Sequence, residues 1–233
     1  MVTIPIHVAV IPDGNRRWAR KNNLPDVEGH RIASEKTLPR LIEKSMDMGV
    51  KYFTFWALST ENAKKRSPEE NRNLENLMRL FLRTKTQEFH KKNIRMKVIG
   101  DTERFPADVQ KLIQKAVTKT ANNTGMTVIF AVNYGGRDEI MRAINRLILE
   151  QSGSKSESGI TAEALARYLD TKDIPDPDLV VRTGGEQRIS GFMLWQSEYA
   201  EYRFSDKLFP EFTEQDWYDC IQSFSARERR FGK

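Results

Sequence analysis

The sequence predicts an α/β fold in which a mainly parallel sheet of about six strands is flanked by helices. The first observation is that short apolar runs rich in β-branched residues alternate with long amphipathic stretches. Strands that alternate with helices are joined by parallel crossovers, which cover both faces of a sheet. The second is that no internal repeat occurs, and that the Ser- and Gly-rich stretch Gln151–Gly159 is short enough to be a flexible loop. We therefore expect a single domain spanning residues 1–233.

Six stretches have the composition of buried strands. In chain order they are Ile6–Ile11, Tyr52–Leu58, Ile94–Ile99, Thr127–Val132, Leu179–Val181 and Tyr202–Phe204, the last with the weakest pattern. Amphipathic periodicity predicts helices over His30–Met48, Pro68–Lys92, Ala107–Asn122, Arg137–Leu149, Ala162–Tyr168 and Glu214–Arg229.

Local signals mark some helix ends. Ser67 is a good N-cap, and it is followed by a proline at the first helical position and by two acids, Glu69 and Glu70. The stretch 122–125, Asn-Asn-Thr-Gly, predicts a helix end and a turn. Pro39 lies inside the first long helical pattern and predicts a kink there.

Composition limits the class of protein. The 233 residues are 39% hydrophobic and 30% charged, as in a globular protein with a sizeable core, and the net charge of +6 favours anionic partners. Cys220 is the single cysteine, so no intrachain disulfide forms, which fits the cytosol. No run of about twenty apolar residues occurs, and the N-terminus does not resemble a signal peptide. We expect a soluble, cytoplasmic protein.

The loop after the first strand is the first candidate site, because ligands of such sheets bind beyond the carboxyl ends of the strands. It reads Pro12-Asp13-Gly14-Asn15-Arg16-Arg17-Trp18. Its glycine permits close backbone approach, a following helix would direct N–H groups at an anion, and arginines suit diphosphate oxygens. Asp13 would repel phosphate unless Mg²⁺ lies between them. A lone Asp-Gly is more often a simple turn, and the spacing of a Walker loop is absent.

Two further loops carry matching chemistry. Ser59-Thr60-Glu61-Asn62 and the basic run Lys64–Arg66 follow the second strand. The stretch 182–190, with two arginines and a serine around Gly-Gly, follows the fifth strand, and Glu201 supplies a second acid. Each loop alone could be a solvated surface. Three such loops at one predicted sheet edge favour a binding site for anionic ligands.

These stretches resemble the cis-prenyltransferases, the family of undecaprenyl diphosphate synthase, from His7 to Gly232. The resemblance is carried by HVAVIPDGNRRWA at 7–19, GH at 29–30, LSTEN at 58–62, IGD at 99–101, NYGGRDEI at 133–140, DLVVRTGGEQRISGFMLWQSEYAE at 178–201 and RERRFG at 227–232. It implies an enzyme that adds isopentenyl diphosphate to an allylic prenyl diphosphate primer, farnesyl or related, with Mg²⁺ as cofactor. It also implies a hydrophobic tunnel, a homodimer, and transient membrane contact during release of a long product.

The resemblance assigns roles to single residues. Asp13 would be catalytic and would bind the metal, with Glu201 as a second metal-associated carboxylate, and Asn62 is a candidate proton acceptor. Gly14, Asn15, Arg16 and Arg17 would hold the allylic diphosphate, with Trp18 and His30 nearby. Ser59, Thr60 and Glu61 would close over substrate, with Lys65 just beyond them. Arg182, Arg188, Ile189 and Ser190 would hold isopentenyl diphosphate, and Arg230 and Gly232 would reach across a dimer.

Some positions depart from the family pattern. Asp26 stands where the family often has an arginine, and Ala63 and Lys65 stand where it often has Trp and Arg. Arg16 or Arg31 could compensate for the acid at Asp26. Ala57 is small, and the resemblance implies that a small residue there leaves room for a product longer than the shortest ones. The apolar helix around Leu74–Phe89 could be core, tunnel wall, or both.

Two other functions are alternatives to the enzyme. A non-catalytic partner subunit of a cis-prenyltransferase would share the fold, but such partners tend to lose the Asp-Gly-Asn loop, which is intact here. Nucleic-acid binding would need a contiguous basic stripe with exposed aromatic residues. The distinctive cations lie beside carboxylates instead, so no nucleic-acid partner is expected.

Overall fold

A computed structural model of the chain describes residues 3–151 and 160–225. Within this part of the chain six strands form one sheet in the order β3-β4-β2-β1-β5-β6. They are β1 His7–Ile11, β2 Tyr52–Trp56, β3 Arg95–Ile99, β4 Thr127–Ala131, β5 Leu179–Arg182 and β6 Glu201–Phe204. All five pairings are parallel, so the carboxyl ends of the strands meet at one edge.

The helices that surround the sheet vary widely in length. They are α1 Asn15–Lys21, α2 Asp26–Ile32, α3 Leu38–Asp47, α4 Thr60–Lys65, α5 Pro68–Lys91, α6 Ala107–Thr120, α7 Gly136–Gln151, α8 Ala162–Ala166 and α9 Glu214–Ser225. A π-helical turn, Ala33–Thr37, joins α2 to α3, and a 3₁₀ turn spans Phe209–Glu211.

Side chains of the central strands point alternately to the two faces of the sheet, and each face packs in its own hydrophobic core. In β1, Val8 and Val10 face one layer of helices, while Ala9 and Ile11 face the other. All four side chains are buried, as expected for a parallel strand that is covered on both faces. The predicted α/β class and the six strand positions are therefore confirmed.

The predicted helices are also present, but the first one starts earlier than predicted and contains an irregular turn. Helical structure begins at Asp26 rather than His30, and it is divided by the π turn before Pro39, the second residue of α3. Proline has no N–H for a bond to the preceding turn, so an irregular turn before it costs less than a regular one would. The short helices α1, α2 and α4 fall partly or wholly where the sequence predicted loops.

The start of α5 follows the predicted cap. Ser67 Oγ accepts a hydrogen bond from Glu70 N–H over 3.1 Å, and the Glu70 carboxylate accepts one from Ser67 N–H over 2.9 Å. This capping box satisfies two backbone donors at the helix start. The predicted loop at 152–159 and the end of the last helix lie outside the described residues. Across residues 3–151 and 160–225, no helix is long and apolar enough to span a membrane.

Candidate active site

Asp13 lies just beyond the carboxyl end of β1, and its carboxylate is held between two arginines. Asp13 Oδ2 is 2.8 Å from Arg182 Nη2, and Oδ1 is 3.5 Å from Arg17 Nη2. Oδ1 also accepts the Gly14 N–H over 2.6 Å. The backbone is fixed as well, because Asp13 N–H donates to Thr183 Oγ1 and the Thr183 hydroxyl donates to Asp13 O, at 3.0 and 2.9 Å. About a third of the side chain (32%) stays exposed, so a ligand can reach it.

Arg182, the last residue of β5, connects the Asp13 loop to the loop after β5. Besides its bond to Asp13, it donates through Nη1 to Ser190 Oγ over 2.8 Å and to the carbonyl of Arg188. The side chain is only 6% exposed, and its Nε has no hydrogen-bond partner among the residues that the structure describes. A buried guanidinium held by neighbouring groups in this way is pre-organised for an anion.

Two glycines allow close approach of the chain at this site. Gly14 has φ +100° and Gly184 has φ +86°, both in the left-handed region that glycine adopts most easily. A Cβ at Gly14 would lie 2.7 Å from Leu208 Cδ2, and one at Gly184 would lie 2.5 Å from Arg17 Nη2. Arg17 Nη2 donates to the carbonyl of Gly184 over 2.7 Å. The Gly-Gly signal of the sequence thus marks a close contact between the two loops, and the Asp-Gly signal marks a close contact with Leu208.

One wall of the site carries a cluster of cationic side chains. Burial lowers the pKa of Arg66, and repulsion from Arg16 lowers it further. Burial, followed by the charges of Arg66 and Arg16, lowers the pKa of His30 to about 4. Within the described residues Arg66 Nη1 has no hydrogen-bond partner. Glu70 is 3.6 Å from Arg16, and the carboxylate of Asp26, which binds Arg20, also feels the charge of Arg16. This wall therefore favours an anion, because the nearby carboxylates do not balance its charge.

These polar groups open into a cavity of about 910 Å³, within the size range of small-ligand sites. Its remaining wall is apolar and is built by β2, β3, β4, α5 and the residues that precede or form α6. The side chains include Phe55, Leu74, Leu77, Met78, Phe81, Leu82, Val98, Phe105, Ile113, Phe130 and Val132. The helix around Leu74–Phe89 is therefore both core and cavity wall. The cavity suits a ligand with an anionic head and an apolar tail.

The loop after β2 is shorter than expected because it becomes helix α4 at once. Ser59 is the N-cap, and its Oγ accepts the Asn62 N–H over 3.0 Å. Ser59 and Thr60 are buried, and Thr60 Oγ1 donates to Glu61 Oε2 over 3.1 Å. Glu61 and Asn62 are exposed and line the cavity.

The structure brings most of the predicted site residues together. Those that line the cavity are Asp13, Gly14, Asn15, Arg16, Arg17, His30, Ser59, Glu61, Asn62, Lys65, Arg182, Arg188 and Ser190. Trp18, Thr60 and Ile189 lie in the same segments but not in the cavity lining. Arg230 and Gly232 lie outside the described residues, and their role stays a prediction.

Glu201 is the exception among the predicted metal ligands. It is the first residue of β6 and lies beside Leu179, whereas Arg182 lies beside Phe204. At about 3.3 Å per residue, Glu201 is about 10 Å back from the strand ends beyond which Asp13 lies, and two strands away. Within one chain Glu201 thus lies apart from Asp13, and its role as a second metal-associated carboxylate stays a prediction.

The donor set still fits a magnesium ion that arrives with its substrate. The described residues contain no group of three or more His, Cys, Asp or Glu side chains that could hold a metal. Mg²⁺ does not need such a group, since it is commonly bound by one or two carboxylates together with substrate phosphates and water. The partly exposed Asp13, in a cavity lined by arginines, can supply such a carboxylate.

The acid at Asp26 has a partner of its own. Arg20 donates to both of its carboxylate oxygens, over 2.9 and 2.7 Å, and this bond lowers the pKa of Asp26. Arg20 lines the cavity, as does Arg16, whereas Arg31 does not. Arg31 binds two glutamates on the outside of α2 and the π turn instead. Of the two proposed substitutes for a family arginine, Arg16 is placed to act and Arg31 is not.

Arg66 lines the cavity, although the sequence did not predict a site role for it. Lys65 was singled out in the basic run, yet Lys65 is exposed while Arg66 is half-buried in the cavity wall. The caps Ser59 and Ser67 confine Arg66 to the junction between α4 and α5, but nothing in the sequence shows that its side chain turns toward the cavity.

Comparison with known proteins gives concordant matches over the full length. Residues 11–232 match the family model described as "Putative undecaprenyl diphosphate synthase". The chain is 45% identical to the isoprenyl transferase of Neisseria meningitidis over 233 residues, covering 99% of this chain and 90% of that protein. It is 40% identical to the isoprenyl transferase of Agrobacterium fabrum over 231 residues, covering 99% and 93% of the two chains.

Two solved structures share the fold. One is lavandulyl diphosphate synthase from Lavandula x intermedia in complex with dimethylallyl diphosphate, with a TM-score of 0.94, 35% identity and 99% coverage of both chains. The other is a probable undecaprenyl diphosphate synthase from Campylobacter jejuni, with a TM-score of 0.81, 34% identity and 100% coverage of both.

Proposed function

Because the chain belongs to the undecaprenyl diphosphate synthase family of prenyltransferases, we propose that it elongates prenyl chains in the cis configuration. It condenses isopentenyl diphosphate with an allylic diphosphate primer, farnesyl or related, to give a longer polyprenyl diphosphate. The observation that carries the proposal is the cavity itself, which joins arginines and the partly exposed carboxylate of Asp13 to an apolar wall.

Two groups of residues, each containing at least two arginines, would bind the two diphosphates. Gly14, Asn15, Arg16 and Arg17 with His30 and Arg66 would hold the allylic diphosphate, and Arg182, Arg188 and Ser190 would hold isopentenyl diphosphate. Asp13 lies between the groups, within reach of Arg17 and Arg182. Two anionic substrates held on either side of one carboxylate can be brought into contact at their reactive carbons.

The reaction has three bond changes. The allylic carbon–oxygen bond breaks, and its electron pair leaves with the diphosphate. The double bond of isopentenyl diphosphate supplies the pair for the new carbon–carbon bond, and a proton is lost to form the new double bond. The arginines stabilise the charge on the departing diphosphate, and this electrostatic contribution is commonly the largest in catalysis. We assign the proton to Asn62, which lines the cavity.

Asp13 would hold Mg²⁺ together with diphosphate oxygens. When bound, the ion supplies further neutralisation of the charge that develops on the leaving group. Glu201 is not assigned to this ion within one chain. Trp18, Thr60 and Ile189 lie outside the cavity lining and would support the chain segments whose other residues bind the substrates. Arg230 and Gly232 would complete the site from a second copy of the chain, so a homodimer is part of the proposal.

The direct test is elongation by purified protein. Labelled isopentenyl diphosphate and Mg²⁺ are incubated with dimethylallyl, geranyl, farnesyl and geranylgeranyl diphosphates, and the dephosphorylated products are sized. Dimethylallyl diphosphate is also supplied alone, because the lavandulyl diphosphate synthase relative holds that compound. We expect metal-dependent elongation that falls by about 10²-fold or more in Asp13→Ala. Asp173→Ala, an exposed aspartate that precedes β5, is the matched control and should keep full activity.

Other outcomes point elsewhere. Folded protein that elongates no primer would contradict the proposal and support the non-catalytic partner subunit. Product from dimethylallyl diphosphate alone, without isopentenyl diphosphate, would indicate a lavandulyl-type coupling.

We also propose a cytoplasmic location with transient membrane contact at product release. Vesicle flotation with and without product would test that contact.

A further inference from the structure

A buried carboxylate, Glu139, lies outside the cavity and has no part in the proposed reaction. It is 1% exposed. Its Oε2 accepts hydrogen bonds from Tyr134 Oη over 2.6 Å and from Gln196 Nε2 over 2.9 Å, and its Oε1 accepts the Asp170 N–H over 3.0 Å. Burial raises the pKa of Glu139, and the bonds from Tyr134 and Gln196 oppose that rise. Burial of a carboxylate costs free energy unless hydrogen-bond donors surround it. The requirement of Glu139 for these donors therefore also fixes the positions of Tyr134 and Gln196.

The main chain of Tyr134 holds the loop after β2 on both sides of Ser59. Tyr134 N–H donates to Leu58 O over 3.0 Å. Its carbonyl accepts from Thr60 N–H over 3.2 Å and from Trp56 Nε1 over 3.1 Å. Gly135, the next residue, packs tightly against Thr60, because a Cβ on Gly135 would lie 2.5 Å from Thr60 Oγ1. The position of the 59–62 loop therefore depends on where Tyr134 is held.

The same segment also holds the turn that carries Ser190. Gly136 N–H donates to Gly191 O over 2.7 Å. The ring of Phe192 meets that of Tyr134 nearly edge-on, with centroids 6.0 Å apart. Gln196, from the same turn, is one of the donors to Glu139. Residues 133–139 thus lie between the two loops that approach the substrates from different strands.

We propose that the Tyr134–Glu139 hydrogen bond is a positioning element, which sets the 59–62 loop against the 190–196 turn so that the bound diphosphates are aligned for reaction. The inference rests on the proposed function. Neither side chain lines the cavity, so the effect passes through the loops rather than through contact with substrate. A misplacement of about 1 Å far from the chemistry can cost about 10²-fold in rate.

The test compares Tyr134→Phe, Glu139→Gln and the double variant with a control of similar structural cost. Ser45→Ala is that control, because it leaves the buried Trp217 Nε1 without its acceptor, now at 2.8 Å, away from the cavity. We expect Tyr134→Phe to lower kcat per titrated active site by about 10- to 100-fold. The KM values for both diphosphates should stay within about threefold, because the binding cations are untouched. The double variant should be no worse than the poorer single variant, since the two groups act as one unit.

Amide exchange supplies a readout that does not depend on activity. The Thr60 N–H should exchange faster in Tyr134→Phe than in wild type or in Ser45→Ala. Unchanged exchange, or a kcat within twofold of wild type at a Tm lowered as in Ser45→Ala, would reduce the pair to a structural role and overturn the inference. Failure of the wild type to elongate any primer would count against the proposed function instead, and the exchange result would still decide on the positioning.

Discussion

Arg66 and Lys65 are adjacent cations on one cavity wall, and their burial separates their expected roles. Arg66 is half-buried beside Arg16, has an unpartnered Nη1 within the described structure, and has a pKa lowered by burial and by Arg16. An anion would accept a hydrogen bond from Nη1 and would offset both the burial of the positive charge and its repulsion from Arg16. Lys65 is exposed to solvent, where its charge is screened and its long side chain is free.

We therefore expect Arg66→Gln to weaken diphosphate binding far more than Lys65→Gln. A charge-assisted hydrogen bond contributes about 1.5–3 kcal/mol, so Arg66→Gln should raise the KM for the allylic diphosphate by about 10- to 100-fold. Lys65→Gln, which removes the same charge one residue away, should change that KM by no more than about threefold. Steady-state kinetics with one primer measures both. A larger effect of Lys65→Gln would contradict this and assign diphosphate binding to Lys65.

At the scale of elements, the aromatic side chains of β2, β4 and α5 shape the apolar part of the cavity. Phe130 on β4 meets Phe81 on α5 nearly edge-on, with ring centroids 5.3 Å apart, and meets Phe55 on β2 at 6.4 Å. All three rings line the cavity. Rings that interlock in this way resist displacement by a growing chain, so we expect them to limit the product length.

Phe130→Ala should accordingly shift the products toward longer chains. Removal of the ring enlarges the apolar space, and the product ladder read by chromatography should extend by at least about one isoprene unit. Phe89→Ala is the control, because Phe89 is a buried ring of α5 that contacts Phe81 but does not line the cavity. It should cost similar stability and leave the ladder unchanged. An unchanged ladder in Phe130→Ala would mean that these rings do not limit growth.

The elements also show what a single sequence can and cannot predict. Buried strands such as β1 and β4 are continuous apolar runs, so their positions were predictable. The six-residue helix α4 has no periodic apolar stripe and depends on the Ser59 cap, so the sequence indicated only a loop. The resemblance suggested a site role for Glu201, and only the register of β6 shows that Glu201 lies at the amino end of the strands, away from Asp13.

At the scale of the whole molecule, parallel pairing accounts for the part of the site that could be predicted. Every strand of the described sheet ends at the same edge, so residues that follow strands separated by long stretches of sequence converge there. Asp13 and Arg182 are bonded across 169 residues for this reason. The cationic wall at Arg66 could not be predicted in the same way, because it depends on the packing of α5 against α2 and on the contact of Arg16 with Glu70.

The fold as a whole should be sensitive to acid, because it buries His7 between the sheet and the loop before β5. Its ring nitrogens are 2.6 Å from Pro175 O and 2.8 Å from Thr54 Oγ1, and burial lowers its pKa to about 4. In the unfolded chain this pKa is about 6.5. Between these values the unfolded chain binds the proton and the folded protein does not. The stability contributed by the neutral ring is therefore complete above about pH 6.5 and is lost as the pH falls toward 4.

Urea unfolding across this range measures the effect. A depression of the pKa from 6.5 to about 4 corresponds to about 3 kcal/mol of unfolding free energy. His7→Gln should be less stable than wild type at pH 7, yet should lose about 3 kcal/mol less between pH 6.5 and 4. Ser45→Ala, which keeps His7, should start from a lower stability and fall as steeply as wild type. Equal pH slopes for wild type and His7→Gln would show that His7 is not a source of the acid sensitivity.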